Sequence, residues 1–285
     1  NRSSSAVARF ISWFHRSQKT VQTVLSAPRD LATLSRDLFA DQIVTVSRLR
    51  ARQIPGSVCI PPGIPIGPLP TADERHAARL RFGFQGHEFV ALYAGDLEFS
   101  TAADLVAQSV PRLANAGAAT RVVFACRTKT PRAKERDSRL MAELSAYDKV
   151  AFLGEVDGIR ELLLAADVTL LPAGDTYAKI DLPLVLLESL EVGTPIVVGR
   201  IEPLTELLGD DGACAVDPKR CDELVATLTT LAASPERLAA MRDAARATAL
   251  ARFDARQMAA AHDALYAELV SSGLAARSVQ RRQPF

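Results

Sequence analysis

Cysteine is scarce. The four residues, Cys59, Cys126, Cys214 and Cys221, are scattered and form no Cys-x-x-Cys pair. A structural zinc site and a dense disulfide framework are both excluded on that pattern, and a reducing, cytoplasmic setting fits it best. None of the four histidines, His15, His76, His87 and His262, has a Cys or His partner at metal-ligand spacing, so no metal is expected. Long apolar runs are absent too: nothing approaches the roughly 18 residues that a membrane-crossing helix needs. Net charge is missing as well, with 34 Lys+Arg against 33 Asp+Glu, so neither nucleic-acid binding nor an acidic tail is expected. Aromatics make up only 6%. What is present is 285 residues, 48% of them hydrophobic, enough for one or two domains with a sizeable core.

The balanced charge is unevenly spread. Residues 1–70 carry nine Lys and Arg against Asp30, Asp37 and Asp41, a net +6, and the last fifteen add Arg277, Arg281 and Arg282 with no acid. The sequence opens at Asn1 with neither a signal-peptide core nor a cleavage pattern, and the expectation is that it begins inside something larger. The cluster Phe10-Ile11-Ser12-Trp13-Phe14, flanked by Arg9 and Arg16, has the composition of a peripheral membrane contact, such as the inner face of a membrane. More often such a cluster is core packing against a partner that the sequence does not include.

From residue 88 onward, short apolar runs alternate with helical spacing. Strands are expected at 89–94, 121–126, 149–153, 168–172 and 195–198, with helices at 101–115, 159–165 and 184–191. Such alternation forces right-handed crossovers and a doubly wound parallel sheet with helices on both faces. Residues 220–270 are almost entirely helix formers, with a cap at Ser234-Pro235-Glu236, and 271–285 read as a frayed tail. Before the sheet, 29–39 reads as helix, 42–46 as strand and 48–53 as a basic helix. Pro55 to Pro70 holds six prolines and three glycines, the composition of a linker.

Ligands of open parallel sheets bind beyond the carboxyl ends of the strands. The candidates are therefore Gly95-Asp96, Arg127 to Lys129, Gly154-Glu155-Val156, 173–181 and Gly199-Arg200. The most informative stretch runs from Lys179 to Val198. A polar loop with a cation enters a helix at Leu184 and Val185, whose free N–H groups and positive dipole end suit a phosphate. Glu188 follows about one turn inside that helix, where a carboxylate can accept both hydroxyls of a ribose. Glu191, three positions on, fits a solvated helix carboxylate better.

This stretch resembles the donor-binding segment of the retaining family-4 glycosyltransferases of GT-B fold, which carry two glutamates eight positions apart and then Gly-Thr-Pro-Val-Val; here Gly193-Thr194-Pro195-Ile196-Val197-Val198 closes the segment. Supporting matches follow the family order: Ala40 to Ser47, Ile60-Pro61-Pro62-Gly63-Ile64, Val150 to Gly154 and Ala166 to Pro172. Together they cover about 35–270.

The resemblance implies an α/β fold of GT-B type. Residues 1–65 would be the C-terminal remnant of an acceptor domain with its linker, and 66–255 the Rossmann-like donor domain. A helix at 256–270 would cross back to the N-terminal part, with a tail at 271–285. It implies that Glu188 holds the nucleotide ribose, that Gly154, Glu155 and Val156 meet the base, and that Leu184 and Val185 offer amides to phosphate. The first glutamate of the pair falls on Ile180, with Asp181 one step later as the candidate for the sugar contact and for any catalytic role. The cations that the family places after the first strand are replaced by Gly95-Asp96-Leu97-Glu98, whose two acids would repel phosphate. Arg127, Lys129 and Lys179 are the expected substitutes.

The function implied is transfer of a sugar from a nucleotide-diphosphate donor to an unknown acceptor, with retention, and with no cofactor or metal. The missing N-terminal part, or a partner chain, would supply the acceptor side. A catalytically silent nucleotide-sugar-binding subunit is the rival reading, favoured by Ile180. The Gly-Thr-Pro-Ile-Val-Val pattern favours a transferase over the GT-B sugar-nucleotide epimerases.

Overall fold

The computed structural model describes residues 18–26, 34, 37–117, 119–177, 179–209 and 211–280, the last stretch from 272 by its backbone alone. The chain divides into two compact units, Asn1–Pro65 with Phe253–Phe285, and Ile66–Arg252. The Phe10–Phe14 cluster, and most of the helix expected at 29–39, lie outside the described residues.

In the first unit, β1 (Val21–Val24), β2 (Gln42–Thr45) and β3 (Val58–Cys59) form a three-stranded parallel sheet in that order. Helix α1 (Arg48–Gln53) connects the second and third strands, and the Ser47 hydroxyl caps it by accepting the Arg50 amide at 3.1 Å. β3 falls inside the stretch expected to be a linker. Its pairing of Val44 with Val58 and Thr45 with Cys59 gives β2 a hydrogen-bonded neighbour on both sides.

In the Ile66–Arg252 unit, α2 (Ala72–Arg81) starts from a capping box. Thr71 accepts the Glu74 amide, and the Glu74 carboxylate returns to the Thr71 amide at 2.7 Å. There follow β4 (Phe89–Tyr93), α3 (Ala102–Asn115), β5 (Thr120–Phe124), α4 (Pro131–Leu144), β6 (Val150–Phe152), α5 (Ile159–Ala165), β7 (Val168–Leu171), α6 (Leu184–Glu191) and β8 (Ile196–Gly199). A 3-10 turn at Leu204–Leu207, β9 (Ala213–Val216), α7 (Cys221–Ala232) and α8 (Pro235–Arg252) complete it. The helices at 72–81 and 131–144 and the strand at 213–216 are additional to the expected elements.

All six strands are parallel, in the order β6-β5-β4-β7-β8-β9. The chain runs outward from β4 to β6, then restarts on the other side of β4, so the order reverses between β4 and β7. β4 is buried along its whole length, as a central strand covered on both faces must be. Across β4, β5 and β6, Tyr93 meets Phe124 edge-on at a centroid separation of 5.9 Å and Phe124 stacks on Phe152 at 4.9 Å. Side chains such as Leu162, Leu163, Leu186 and Leu187 are fully enclosed, each worth about 2 kcal/mol of removed apolar surface.

The chain then returns to the first unit through α9 (Ala255–Gln280). Gly63 and Ile64 meet its start: the Ile64 amide donates to the Phe253 carbonyl and the Ala255 amide to that of Ile64. Leu265 packs with Val44 and Ile60, and Met258 and Leu269 flank them. The helix continues past 270, where a frayed tail was expected, to Gln280.

Candidate functional site

The strand reversal splays the chain away from β4 in both directions, and a cavity of about 680 Å³ opens there beyond the carboxyl ends of the strands. Ala94, Gly95, Asp96 and Glu98 come from the end of β4, Ala125, Arg127 and Lys129 from β5, and Gly154, Glu155 and Val156 from β6. Val185 and Glu188 come from α6, Thr130 and Ala133 from the start of α4, and Ile159 from α5. Thus eight of the eleven expected site residues, Gly95, Arg127, Lys129, Gly154, Glu155, Val156, Val185 and Glu188, share one cavity. The other three do not line it. Lys179 stands behind Asp96, Asp181 is fully buried, and Leu184 projects outward, 44% exposed.

Local chemistry explains the shape. Gly154 closes β6 with φ +67, in the left-handed region that favours glycine. Pro183 precedes α6 without a side-chain cap, and the Leu184 and Val185 amides have no hydrogen-bond partner among the described residues. They are the free donors that any helix start presents. At the other end, Gly193 (φ +75) turns the chain and Thr194 donates its hydroxyl to the Leu163 carbonyl at 2.8 Å. The Ser189 hydroxyl donates to the Thr194 carbonyl at 2.9 Å and accepts from the Thr169 hydroxyl at 2.7 Å, pinning α6 to the sheet.

Glu188 is half-buried, and among the described residues its carboxylate has no hydrogen bond and no ion pair. Burial, with the nearby Glu191 charge adding to it, pushes its carboxyl above the usual range. Arg127 is exposed and likewise without an ion-pair partner among the described residues, whereas Lys129 Nζ lies 3.8 Å from Glu155 Oε1.

Two expectations need correction. Glu191 is not a solvated carboxylate: it is 3% exposed, bonded to Arg246 at 2.8 Å, to Arg160 at 3.1 Å and to the Gly67 amide at 3.1 Å. The turn of α6 that ends in Glu191 faces α5 and α8, and two guanidinium groups meet it there. Nor is Asp96 an open anion. It accepts the amides of Glu98, Phe99 and Ser100 and the Lys179 ammonium, at 2.8 to 3.2 Å.

Thr130, Ala133 and Ile159 were not among the expected residues. Thr130 caps α4, accepting the Ala133 amide at 3.2 Å, with Pro131 at the first helical position. A Thr-Pro start is a helix signal that the sequence carries.

Comparison with known proteins identifies the family and the fold. The family described as "Glycosyl transferases group 1" matches residues 88–234. An MMP alpha-(1->4)-mannosyltransferase from Mycolicibacterium hassiacum is 35% identical over 137 residues, 47% of this chain and 32% of that protein. A GDP-mannose-dependent alpha-(1-6)-phosphatidylinositol dimannoside mannosyltransferase from Mycobacterium tuberculosis is 30% identical over 152 residues, 53% of this chain and 37% of that protein. The chain's matches thus span about a third of each curated relative's length. In fold, the crystal structure of HepE from Anabaena in complex with UDP-glucose aligns at TM-score 0.79 and 17% identity, over 95% of this chain and 77% of that one. Sucrose-phosphate synthase from Thermosynechococcus elongatus aligns at TM-score 0.77 and 20% identity, over 93% and 72%. The architecture is α/β with parallel sheets, of GT-B type.

Proposed function

Because this chain belongs to the group 1 glycosyl transferases, we propose that its Ile66–Arg252 unit binds a nucleotide-diphosphate sugar and that the protein transfers the sugar to an acceptor. In this reading Glu188 accepts both ribose hydroxyls. The base lies along Gly154, Glu155 and Val156 at the end of β6. The diphosphate meets the Leu184 and Val185 amides, with Arg127, Lys129 and Lys179 supplying positive charge and Gly95 leaving room near the β4 end. No cofactor or metal has a role in it. Retention and a family-4 affiliation are inferred from the resemblance of residues 179–198 to the donor segment of those enzymes. Two curated relatives named as mannosyltransferases, similar at 30–35% identity, favour a GDP-mannose donor over the uridine sugars of more distant fold neighbours.

The observation that carries the reading is Glu188, a half-buried carboxylate without a partner among the described residues, lining the same cavity as Val185 at the uncapped start of the same helix. A carboxylate kept from water without a bond is costly, and a diol supplies what it lacks. Calorimetric titration of this chain with GDP-mannose, GDP and guanosine tests it. All three bind, and Glu188→Gln weakens each of them about tenfold or more. Absence of binding by any of the three defeats the proposal.

Ile180, at the place of the first family glutamate, favours a second reading in which donor is bound without turnover. Labelled mannose released from GDP-mannose to water or an acceptor supports the transferase; binding with no release supports the silent module.

A further inference from the structure

Two loops meet at the mouth of the cavity. One follows β4 and carries Asp96 and Phe99; the other follows β7 and carries Tyr177 and Lys179. Those strands are neighbours at the point where the sheet order reverses. Lys179 Nζ donates to Asp96 Oδ2 at 3.2 Å, and the Phe99 ring meets Tyr177 edge-on at a centroid distance of 5.7 Å. Asp96 is itself a cavity wall residue, so the Lys179 ammonium stands one hydrogen bond behind that wall, 15% exposed.

The charges along the wall do not suit a diphosphate as they stand. Asp96, Glu98, Glu155 and Glu188 face Arg127 and Lys129, and Lys129 already shares its charge with Glu155. A diphosphate arriving there meets more carboxylate than cation. Lys179 is a further cation within reach, and Asp96 holds it.

We propose that Asp96 is a specificity-determining residue that occupies Lys179 as an internal stand-in for phosphate, so that a diphosphate must compete with it for the ammonium. This rests on the nucleotide-sugar reading above and adds a contest to it. The three loop amides, at 2.8, 2.9 and 3.1 Å, hold Asp96 in place whether or not Lys179 is present. Only the lysine has to move: its ammonium leaves one anion and joins another, with no change in the charge of either. Burial works to raise the Asp96 carboxyl, but the Phe99 and Glu98 amides and Lys179 bring it below the usual range, so Asp96 competes as a full anion. A nucleoside, lacking phosphate, does not enter the contest.

The experiment titrates this chain and its variants with guanosine, GDP and inorganic pyrophosphate. Asp96→Asn keeps one of the two oxygens that accept the loop amides and removes the charge that holds Lys179, so GDP and pyrophosphate bind about tenfold more tightly while guanosine is unchanged. Lys179→Met weakens GDP and pyrophosphate and spares guanosine, and the double variant behaves like Lys179→Met alone. A wild-type chain that binds GDP but shows no gain in Asp96→Asn, or loses GDP and guanosine equally, overturns this inference and leaves the nucleotide site standing. If Asp96→Asn does not fold, Lys179→Met decides alone, and an equal loss of all three probes overturns the inference. A chain that binds none of the probes overturns both readings.

Discussion

Arg246 on α8 donates through Nη1 to Glu191 Oε1 at 2.8 Å, and also to the Glu191 main-chain carbonyl. Arg160 reaches the same carboxylate from α5 at 3.1 Å, so one acid ties three helices together one turn beyond Glu188. Removing it strands two guanidinium groups, one of them buried. Glu191→Ala should cost about 3–5 kcal/mol, read as a fall in the urea midpoint at unchanged slope. Glu191→Gln, which keeps an acceptor, should cost less.

Glu188 gives a pH dependence with a definite sign. Its carboxyl is raised by burial first and by Glu191 second, so the ionised form is disfavoured in the empty cavity. A ribose diol donates hydrogen bonds and therefore favours the ionised form. Affinity for guanosine should rise with pH as Glu188 ionises, and level once it is charged, with that rise displaced above the usual carboxylate range. In Glu188→Gln the profile should be flat. A folded-state value above the unfolded one also means that Glu188 lowers stability above its titration range. The same variant should therefore melt at a higher temperature at neutral pH while binding less.

Asp167 does the corresponding work at the opposite ends of the strands. It accepts the Val90 amide at 2.8 Å and bonds Arg79 at 3.0 Å, Arg75 at 3.1 Å and Arg242 at 2.7 Å. Burial, with Arg242 adding to it, already pulls Arg75 well below the usual guanidinium range. Asp167→Asn leaves these cations facing one another, and a loss of about 3–5 kcal/mol is expected, measured by chemical denaturation. A neutral outcome would mean that water reaches the cluster freely.

Gly199, at the end of β8, is a steric requirement. A Cβ there would lie 1.9 Å from the Ala173 carbonyl oxygen, a main-chain atom that no rotamer change removes. Gly199→Ala should destabilise by on the order of 3 kcal/mol. Because the displaced carbonyl begins the loop that carries Lys179, GDP affinity should fall as well. Thermal melts and GDP titration of the same preparation separate the two effects.

Much of the Ile66–Arg252 unit was legible because its elements are apolar runs punctuated by glycine and proline. The helices 159–165 and 184–191 fall where their spacing puts them, as does 48–53 in the other unit. β9 was not, since Ala-Cys-Ala-Val offers little β-branched content and is only partly buried until its last residue. The site is legible where it is made of strand ends, which the parallel-sheet rule locates. It is illegible where it depends on contacts distant in sequence. Glu191 looks like its solvated neighbours until Arg246, 55 positions later, and Arg160, 31 earlier, are seen beside it. Asp96 reads as a repulsive acid until Lys179, 83 positions on, is found to answer it.

The reversal of the sheet between β4 and β7 has a consequence during synthesis. The cleft has one bank made early and another made late, and its floor is complete only when the second half of the sheet has docked against the first. A nascent chain that ends before Glu188 therefore has the early bank but lacks the carboxylate that the proposed reading assigns to a pentose. On that reading recognition is a property of the finished domain, and nucleotide would stabilise only molecules that have folded through α6.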